Sequence, residues 1–273
     1  MHHSEVAMNT PPFCVLTIAG SDSGGGAGIQ ADLRTIRAIG GHALTAVTAV
    51  TAQDTARISA WRPVADSLIA AQIASALAGF QVAAAKTGLL PGPGAIRVVV
   101  AALSKVPTIP LVVDPVIASS SGTRFLGADG IRALREQLFP LASLVTPNWP
   151  EAAALSGLPV RTHAQAKKAA QKIAAGCGRP VLVKGGHAPG RTWRDGLVMP
   201  DGATAWFEGP RIVTLNTHGT GCVLSAAIAS WLGRGADLPW AVKLGQSFLQ
   251  RALLRGRGLH WGEGRGPAFY GKR

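Results

Sequence analysis

Cysteine is scarce in this sequence, and its few copies lie far apart. Only three of the 273 residues are cysteine, namely Cys14, Cys177 and Cys222, and no two of them form a CxxC pair. An odd number of widely spaced cysteines predicts neither a disulfide framework nor a zinc site. Free thiols are typical of a reducing compartment, so the expected location is the cytoplasm.

Long uninterrupted apolar segments are also missing. Residues 1–12 are polar and lack the apolar core of a signal peptide, and no run of 18 apolar residues occurs elsewhere. We therefore expect a flexible tail at 1–12 and a protein that makes no membrane contact. Hydrophobic residues make up 47% of the chain, which is enough for a large core. No linker or repeat divides residues 13–273, so this range is predicted to be a single domain.

Acidic residues are few compared with basic ones. There are 14 Asp and Glu against 27 Lys and Arg, which gives a formal net charge of +13. Such an excess can indicate a nucleic-acid-binding module. The basic residues are scattered, however, and the single tyrosine leaves no interleaving of basic and aromatic side chains. A solvated basic surface that attracts anionic nucleotides is the favoured interpretation, and no nucleic-acid partner is expected.

Short apolar segments alternate with amphipathic ones along the chain. Strands are predicted at 15–19, 43–51, 82–86, 110–114, 143–146 and 181–184, with a hairpin at 196–199 and 203–207. Helices are predicted at 29–39, 67–78, 95–103, 129–138, 150–156, 164–175, 221–232 and 240–254. This alternation predicts an α/β fold with a central, mostly parallel sheet flanked by helices on both faces. Ligands of such folds bind beyond the carboxyl ends of the strands.

The segment NTHGTGC, residues 216–222, carries the most chemistry. Gly219 and Gly221 flank Thr220 and allow the backbone to approach a ligand closely, and an apolar helical run follows at once. The first N–H groups of that helix would attract an anion such as a transferring phosphoryl group. An ordinary glycine-rich helix entry explains the short pattern equally well. Neither a Walker A loop nor a GxGxxG fingerprint is present in the chain.

A second glycine-rich segment, GSDSGGGAG at residues 20–28, precedes the first helix. Asp32 lies on the apolar face of that helix, where an unpaired carboxylate is costly, so we expect it to have a partner, with a substrate as a good candidate. Gln53 follows the second strand and has the amide donor and acceptor needed to read a heterocycle edge, although a turn residue is the simpler explanation.

Polar residues also follow later strands. Asn148 and Glu151 lie at a strand–helix junction, where their oxygens could hold Mg²⁺, but a helix-capping pair explains the same spacing and is favoured by sequence alone. Asp114 and Lys184 end two very apolar strands and fit a site for metal and phosphate. His187 and His218 have no spacing that indicates a metal, and both are interpreted as structural or supporting groups.

Taken together and in this order, the motifs resemble those of the hydroxymethylpyrimidine/phosphomethylpyrimidine kinases of thiamine biosynthesis, in the ribokinase superfamily. They are TIAGSDSGGGAGIQADL, AVTAQDT, KTGLL, DPV, TPNWPEAAAL, KGGH and NTHGTGC, and they span roughly residues 15–267. The resemblance implies a ribokinase-like fold and a kinase that uses ATP and Mg²⁺. It phosphorylates 4-amino-5-hydroxymethyl-2-methylpyrimidine and then the resulting monophosphate.

The resemblance also implies a role for each matching residue. Gly20, Asp32, Gln53 and Leu89 would bind the pyrimidine, and Asp114 and Lys184 would lie on the nucleotide side. Asn148 and Glu151 would hold magnesium, Gly219, Thr220 and Gly221 would form the anion hole, and Cys222 would be the fourth catalytic residue. Cys222 stands where sugar-kinase relatives carry an aspartate base. A thiol at a helix N-terminus is expected to have a lowered pKa. A homodimer is the expected assembly.

Three departures from the family pattern and two rival functions accompany this assignment. Leu89 replaces a common Met, Ser120 replaces a Lys or Thr that would contact phosphate, and the tail GEGRGP lacks the residues that usually follow it. The nearest rival is a pyridoxal or pyridoxine kinase of the same superfamily. The non-enzyme rival is a basic nucleic-acid-binding module.

Overall fold

The structure is a computed structural model that describes residues 12–119, 122–186, 188 and 190–270. Residues 1–11 of the tail predicted at 1–12, together with Ser120 and His187, lie outside these ranges. The nine strands are β1 (Cys14–Asp22), β2 (His42–Gln53), β3 (Ile58–Pro63), β4 (Val82–Thr87), β5 (Leu111–Val113), β6 (Leu144–Val145), β7 (Val181–Val183), β8 (Thr192–Val198) and β9 (Thr204–Pro210).

Eight α-helices connect and cover these strands. They are α1 (Gly28–Ala38), α2 (Asp66–Gly79), α3 (Pro93–Leu103), α4 (Ala128–Ala133), α5 (Trp149–Ser156), α6 (His163–Cys177), α7 (Thr220–Gly233) and α8 (Leu238–Gly256). A π-helical segment, Leu134–Leu138, continues α4, and a 3₁₀ turn follows it at Phe139–Leu141. Among the described residues, none of the helices combines the length and hydropathy that a membrane span needs.

All nine strands belong to one sheet with the order β3-β2-β1-β4-β5-β6-β7-β8-β9. Strands β2, β1, β4, β5, β6 and β7 are parallel to one another, while β3, β8 and β9 pair antiparallel at the two ends. The predicted fold class is confirmed. The sequence prediction did not include β3, which doubles back along the end of β2.

The sheet separates two apolar cores because alternate residues of a strand point to opposite faces. Val113 and Val145 belong to the core that contains α2, α3, α5 and α6. Their neighbours Val112 and Leu144 belong to the core that contains α7 and the start of α8. With helices on both faces, the carboxyl ends of the parallel strands form one edge at which loops can meet.

Candidate active site

A cavity of about 980 Å³ lies at this edge of the sheet. The predicted site residues that line it are Gly20, Gln53, Leu89, Asp114, Asn148, Glu151, Lys184, Gly219, Thr220, Gly221 and Cys222. They lie in the carboxyl-terminal part of, or after, six different parallel strands, or they begin α7, which is why residues far apart in sequence meet here. The volume is at the upper end of the range for small-molecule sites, so there is room for more than one ligand.

The N-terminus of α7 faces this cavity. The helix begins after Gly219, whose φ of 74° is in the left-handed region, and no side chain caps its first N–H groups. A side chain at position 219 would also collide with the carbonyl oxygen of Gly26. The local backbone is therefore a tight glycine turn whose uncapped N–H groups are available to an anion.

A buried ion pair lies beside this helix terminus. The Lys184 ammonium donates to Asp114 Oδ1 at 2.7 Å, and the Thr146 hydroxyl donates to the same oxygen at 3.1 Å. Although burial opposes ionisation, Lys184 and Lys86 keep the pKa of Asp114 below its ordinary value. Lys184 Nζ comes within 3.2 Å of where a Cβ on Gly221 would lie. The cation is therefore next to the backbone N–H groups of residues 219–222, which we call the anion cradle.

Asn148 and Glu151 form a complete capping box at the start of α5. Asn148 Oδ1 accepts from the Glu151 N–H at 2.9 Å, and Glu151 Oε2 accepts from the Asn148 N–H at 2.8 Å. The capping interpretation of this pair is thus confirmed. Burial raises the pKa of Glu151 to about 7, an effect that Lys184 opposes and Asp114 reinforces. Both residues also line the cavity.

Magnesium binding stays a prediction at this point. No group of three or more His, Cys, Asp or Glu residues within the described part of the chain has the arrangement of a metal site. Mg²⁺ commonly binds through one or two carboxylates, water and substrate phosphates, rather than in a cage of protein ligands. Glu151, with one oxygen engaged in the cap, fits that second mode of binding.

Asp32 forms a buried ion pair. Its side chain is completely buried, does not line the cavity, and pairs with the equally buried Lys86 of β4 at 2.8 Å. The Thr17 hydroxyl donates to the same carboxylate at 2.6 Å. The expectation that Asp32 needs a partner is confirmed, and its contact with the pyrimidine stays a prediction. The ammonium of Lys86 compensates the buried charge.

The expected acidity of Cys222 is wrong. Burial raises the pKa of this thiol to about 11, although Lys86 and the Gly28 N–H favour the thiolate. Cys222 packs against an apolar cluster that includes Ala31 and Ala252, and this environment outweighs the effect expected from the helix terminus. The sulfur nevertheless lines the cavity at the anion cradle.

The glycine-rich loop at residues 20–28 is joined to the α7 entry by a histidine. His218 Nε2 lies 2.9 Å from Asp22 Oδ2 and 3.0 Å from Gln53 Nε2. Burial opposes ionisation of Asp22, but the hydrogen bonds from His218 and the Ala27 N–H lower its pKa. Because the carboxylate can only accept, it favours His218 as the donor. His218 therefore supports the site by joining the α7 entry to the loop, as the sequence indicated.

Sequence reasoning missed one further buried carboxylate at the cavity, Asp195. Asp195 of β8 accepts from the Gly185 N–H at 2.7 Å and from the Gln246 amide at 3.0 Å. Burial raises its pKa. Its only signal in the sequence was a charged residue within an otherwise strand-forming segment. Gln246 gave no signal, because a polar residue in an amphipathic helix is usually solvated.

A model of one family covers nearly all of this site. The phosphomethylpyrimidine kinase model matches residues 22–269, which is most of the chain. The chain belongs to the phosphomethylpyrimidine kinase family. The matched range includes every predicted site residue except Gly20, so the family and the geometry point to the same cavity.

Curated relatives of this family agree in sequence over most of the chain. It is 39% identical over 256 residues to the hydroxymethylpyrimidine/phosphomethylpyrimidine kinase of Haemophilus influenzae, with 93% of this chain and 94% of the relative covered. It is 41% identical to a probable thiamine biosynthetic bifunctional enzyme of rice, with 93% of this chain covered. The chain spans about half the length of that bifunctional relative, 46%.

Solved structures of family members and of pyridoxal kinases share the fold. The phosphomethylpyrimidine kinase of Clostridium difficile has a TM-score of 0.77 and 36% identity, covering 88% of this chain and 99% of that chain. The ADP complex of Bacillus subtilis pyridoxal kinase has a TM-score of 0.82 and 35% identity, covering 89% and 92%. The fold alone therefore does not separate the two substrate classes.

Proposed function

We propose that this protein is the ATP-dependent kinase that phosphorylates 4-amino-5-hydroxymethyl-2-methylpyrimidine and then converts the monophosphate to the diphosphate. The observation that carries the proposal is the uncapped N-terminus of α7, which faces the same cavity as Gln53 and Leu89 on one side and Lys184 on the other. The names of the Haemophilus and rice relatives support this substrate and this pathway.

The roles of the residues follow from their positions. Gly20 and Leu89 pack together, since a side chain at position 20 would meet Leu89 Cδ2 at 2.9 Å, and they form an apolar surface for the ring. Gln53, whose backbone carbonyl and N–H both bond to the Ser23 hydroxyl, supplies the polar contact to the ring. Asp32 acts only indirectly, through Lys86 beneath the site.

On the nucleotide side, we assign Lys184 to the phosphates of ATP and Asp114 to holding that lysine in place. Asn148 and Glu151 would orient Mg²⁺, partly through water, and the metal would neutralise charge on the transferred group. The N–H groups of Gly219, Thr220, Gly221 and Cys222 would surround that group in the transition state. In the first step the oxygen–phosphorus bond to the acceptor forms as the bond to ADP breaks, and the hydroxyl proton passes to water or to the small fraction of Cys222 that is ionised at neutral pH.

The deciding experiment incubates purified protein with MgATP and the hydroxymethylpyrimidine, and resolves the monophosphate from the diphosphate. Sequential appearance of both products supports the proposal, and absence of both contradicts it. Pyridoxal is tested in parallel, because pyridoxal kinases are among the structural neighbours. A pyridoxal efficiency above that for the pyrimidine would favour this second function.

Two accompanying expectations stay predictions. A homodimer is to be checked by light scattering at several protein concentrations. A cytoplasmic location suits three cysteines that are all free thiols, and fractionation would check it.

A further inference from the structure

The C-terminal tail crosses between the two halves of the cavity entrance. On one side the Arg265 N–H donates to the Thr55 carbonyl at 2.8 Å, in the turn that follows Gln53. On the other side the His218 N–H donates to the Gly266 carbonyl at 3.0 Å, immediately before the anion cradle. The tail is thus fixed between the ring-binding side and the phosphoryl-transfer side.

Within residues 264–266, only position 265 has room for a side chain. A Cβ at position 264 would collide with the Thr55 backbone, and one at position 266 would collide with the Asn216 amide. Arg265, between these two glycines, lines the cavity. The close packing on both sides therefore holds residue 265 at a defined place on the cavity wall.

Arg265 differs from the other cations of the cavity. Lys184 is paired with Asp114, and the Arg211 guanidinium donates to the carbonyls of Gly186 and Ala188. Within the described residues, the Arg265 side chain is assigned no hydrogen bond or ion pair, and it is exposed. Its five N–H donors remain available to a planar or tetrahedral anion.

The two acceptors of the proposed reaction differ in charge. The first ends in a neutral hydroxymethyl group, and the second in a phosphate monoester that is largely ionised near neutral pH. We propose that Arg265 is a specificity-determining residue that binds the phosphate of the monophosphate acceptor and so favours the second phosphorylation. This inference rests on the proposed function. It assigns the second step a contact that the first step does not use.

The test compares Arg265→Gln with the wild type for each acceptor separately. The KM for the monophosphate should rise roughly tenfold, as expected for loss of a charge-assisted hydrogen bond, while kinetics with the hydroxymethylpyrimidine stay within about twofold. The KM of Arg265→Lys for the monophosphate should lie between those of the wild type and Arg265→Gln, because lysine keeps the charge but lacks the paired N–H donors of the planar guanidinium. Arg161→Gln, which removes an exposed charge away from the cavity, is the matched control and should change neither KM.

Added salt provides a second readout. The wild-type KM for the monophosphate should rise with ionic strength, and this dependence should be weaker in Arg265→Gln. If Arg265→Gln changes the KM equally for both acceptors, or leaves the KM for the monophosphate unchanged, the inference is overturned. If the wild type forms no diphosphate, the proposed second step fails visibly, and calorimetric binding of the monophosphate to wild type and Arg265→Gln still decides whether Arg265 recognises it.

Discussion

Neighbouring acidic residues of the cavity are held in different protonation states by their surroundings. Asp114 and Glu151 are both buried and both face the same cavity. Asp114 receives direct hydrogen bonds from Lys184 and Thr146, so its pKa is lowered despite burial. Glu151 receives only a backbone N–H through its cap, and burial raises its pKa to about 7. Asp114 therefore stays charged where Glu151 exchanges a proton near neutral pH.

Glu151→Gln should reveal this difference in thermal unfolding. Glutamine can keep the capping box, so the helix start is preserved. The folded pKa of about 7 lies above the unfolded value, so the native wild type loses stability as pH rises towards 7. The melting temperature of the variant relative to wild type should therefore increase between about pH 4.5 and about pH 7 and level off above that. A constant difference across this range would contradict the raised pKa.

The same variant tests the magnesium assignment. Turnover of Glu151→Gln should fall at limiting Mg²⁺ and recover partly at excess Mg²⁺, because an amide binds the hard cation more weakly than a carboxylate. Asn148→Asp is the comparison, since it preserves a capping oxygen and adds a charge. If the turnover loss of Glu151→Gln does not depend on Mg²⁺, the residue serves only as the helix cap.

Cys222→Ala separates a base from a packing residue. Removing the thiol should slow monophosphate formation more than diphosphate formation, because only the first acceptor has a hydroxyl proton to lose. Loose phosphoryl transfer needs little base, and a thiol with a pKa of about 11 is rarely a thiolate at neutral pH. The loss in the first step should therefore stay below the roughly 10²- to 10⁴-fold of strong general-base catalysis.

Alkylation measures the acidity of Cys222 directly. In a variant that lacks Cys14 and Cys177, the rate of iodoacetamide modification should keep rising with pH up to about pH 10, as the thiol titrates near 11. A rate that reaches its plateau near neutral pH would show that the helix terminus dominates after all. Equal slowing of both kinase steps in Cys222→Ala would instead point to packing at the anion cradle.

At the scale of secondary-structure elements, one buried ion pair joins β4 to α1. Lys86 and Asp32 are both completely buried and 2.8 Å apart. The pKa of Lys86 is raised, because the attraction of Asp32 outweighs the effect of burial. Replacing one partner leaves the other charge without compensation, whereas replacing both with apolar residues removes the desolvation cost as well.

Lys86→Met should therefore destabilise the protein by about 3–5 kcal/mol, and the double variant Lys86→Met/Asp32→Leu should recover most of that loss. Urea unfolding monitored by circular dichroism measures the free energy of unfolding of the single and the double variant. Asp32→Asn should also lower stability, in contrast to its predicted role as a ring contact. A double variant as unstable as Lys86→Met would show that packing around the pair, and not its charge balance, is what matters.

Most of the elements were predictable because their apolar periodicity is local. Strand β3 was not predicted because Ile58–Pro63 is an edge strand whose side chains are mostly exposed and show no clean alternation of apolar and polar residues. The predicted helix at 129–138 is α-helical only to Ala133, and the π-helical segment after it has no signature in composition. The hairpin is longer than predicted, since β8 and β9 include polar residues that pair through the backbone.

The site was predictable where a motif follows a strand, and not where a partner is distant in sequence. All the cavity-lining predictions lie at strand ends or helix starts. The partner of Asp32 was not predicted because Lys86 is 54 residues away, and nothing local shows that β4 brings a lysine next to α1. The acidity of Cys222 was wrong for the same reason, since the burying residues come from α1 and α8.

At the scale of the whole molecule, the net charge is +13, and its basic residues are scattered along the sequence. Within the described part of the chain, four Lys or Arg side chains form ion pairs with a carboxylate, whereas the whole chain has 27 Lys and Arg. This excess of positive charge raises the local concentration of anionic nucleotides, and it also repels itself within the compact state. Both effects act over about a Debye length and are weakened by salt.

The stability of this protein should therefore rise with ionic strength near neutral pH. Between about 20 mM and about 200 mM NaCl the melting temperature should increase, because screening weakens repulsion among the 27 basic side chains more than it weakens their few ion pairs. The control is the same titration near pH 10, closer to the isoelectric point of about 10.8, where the increase should be smaller. A melting temperature that falls with salt at neutral pH would show that the ion pairs dominate. In a separate binding assay, a gel shift of labelled DNA that persists at about 200 mM NaCl would favour the nucleic-acid-binding alternative.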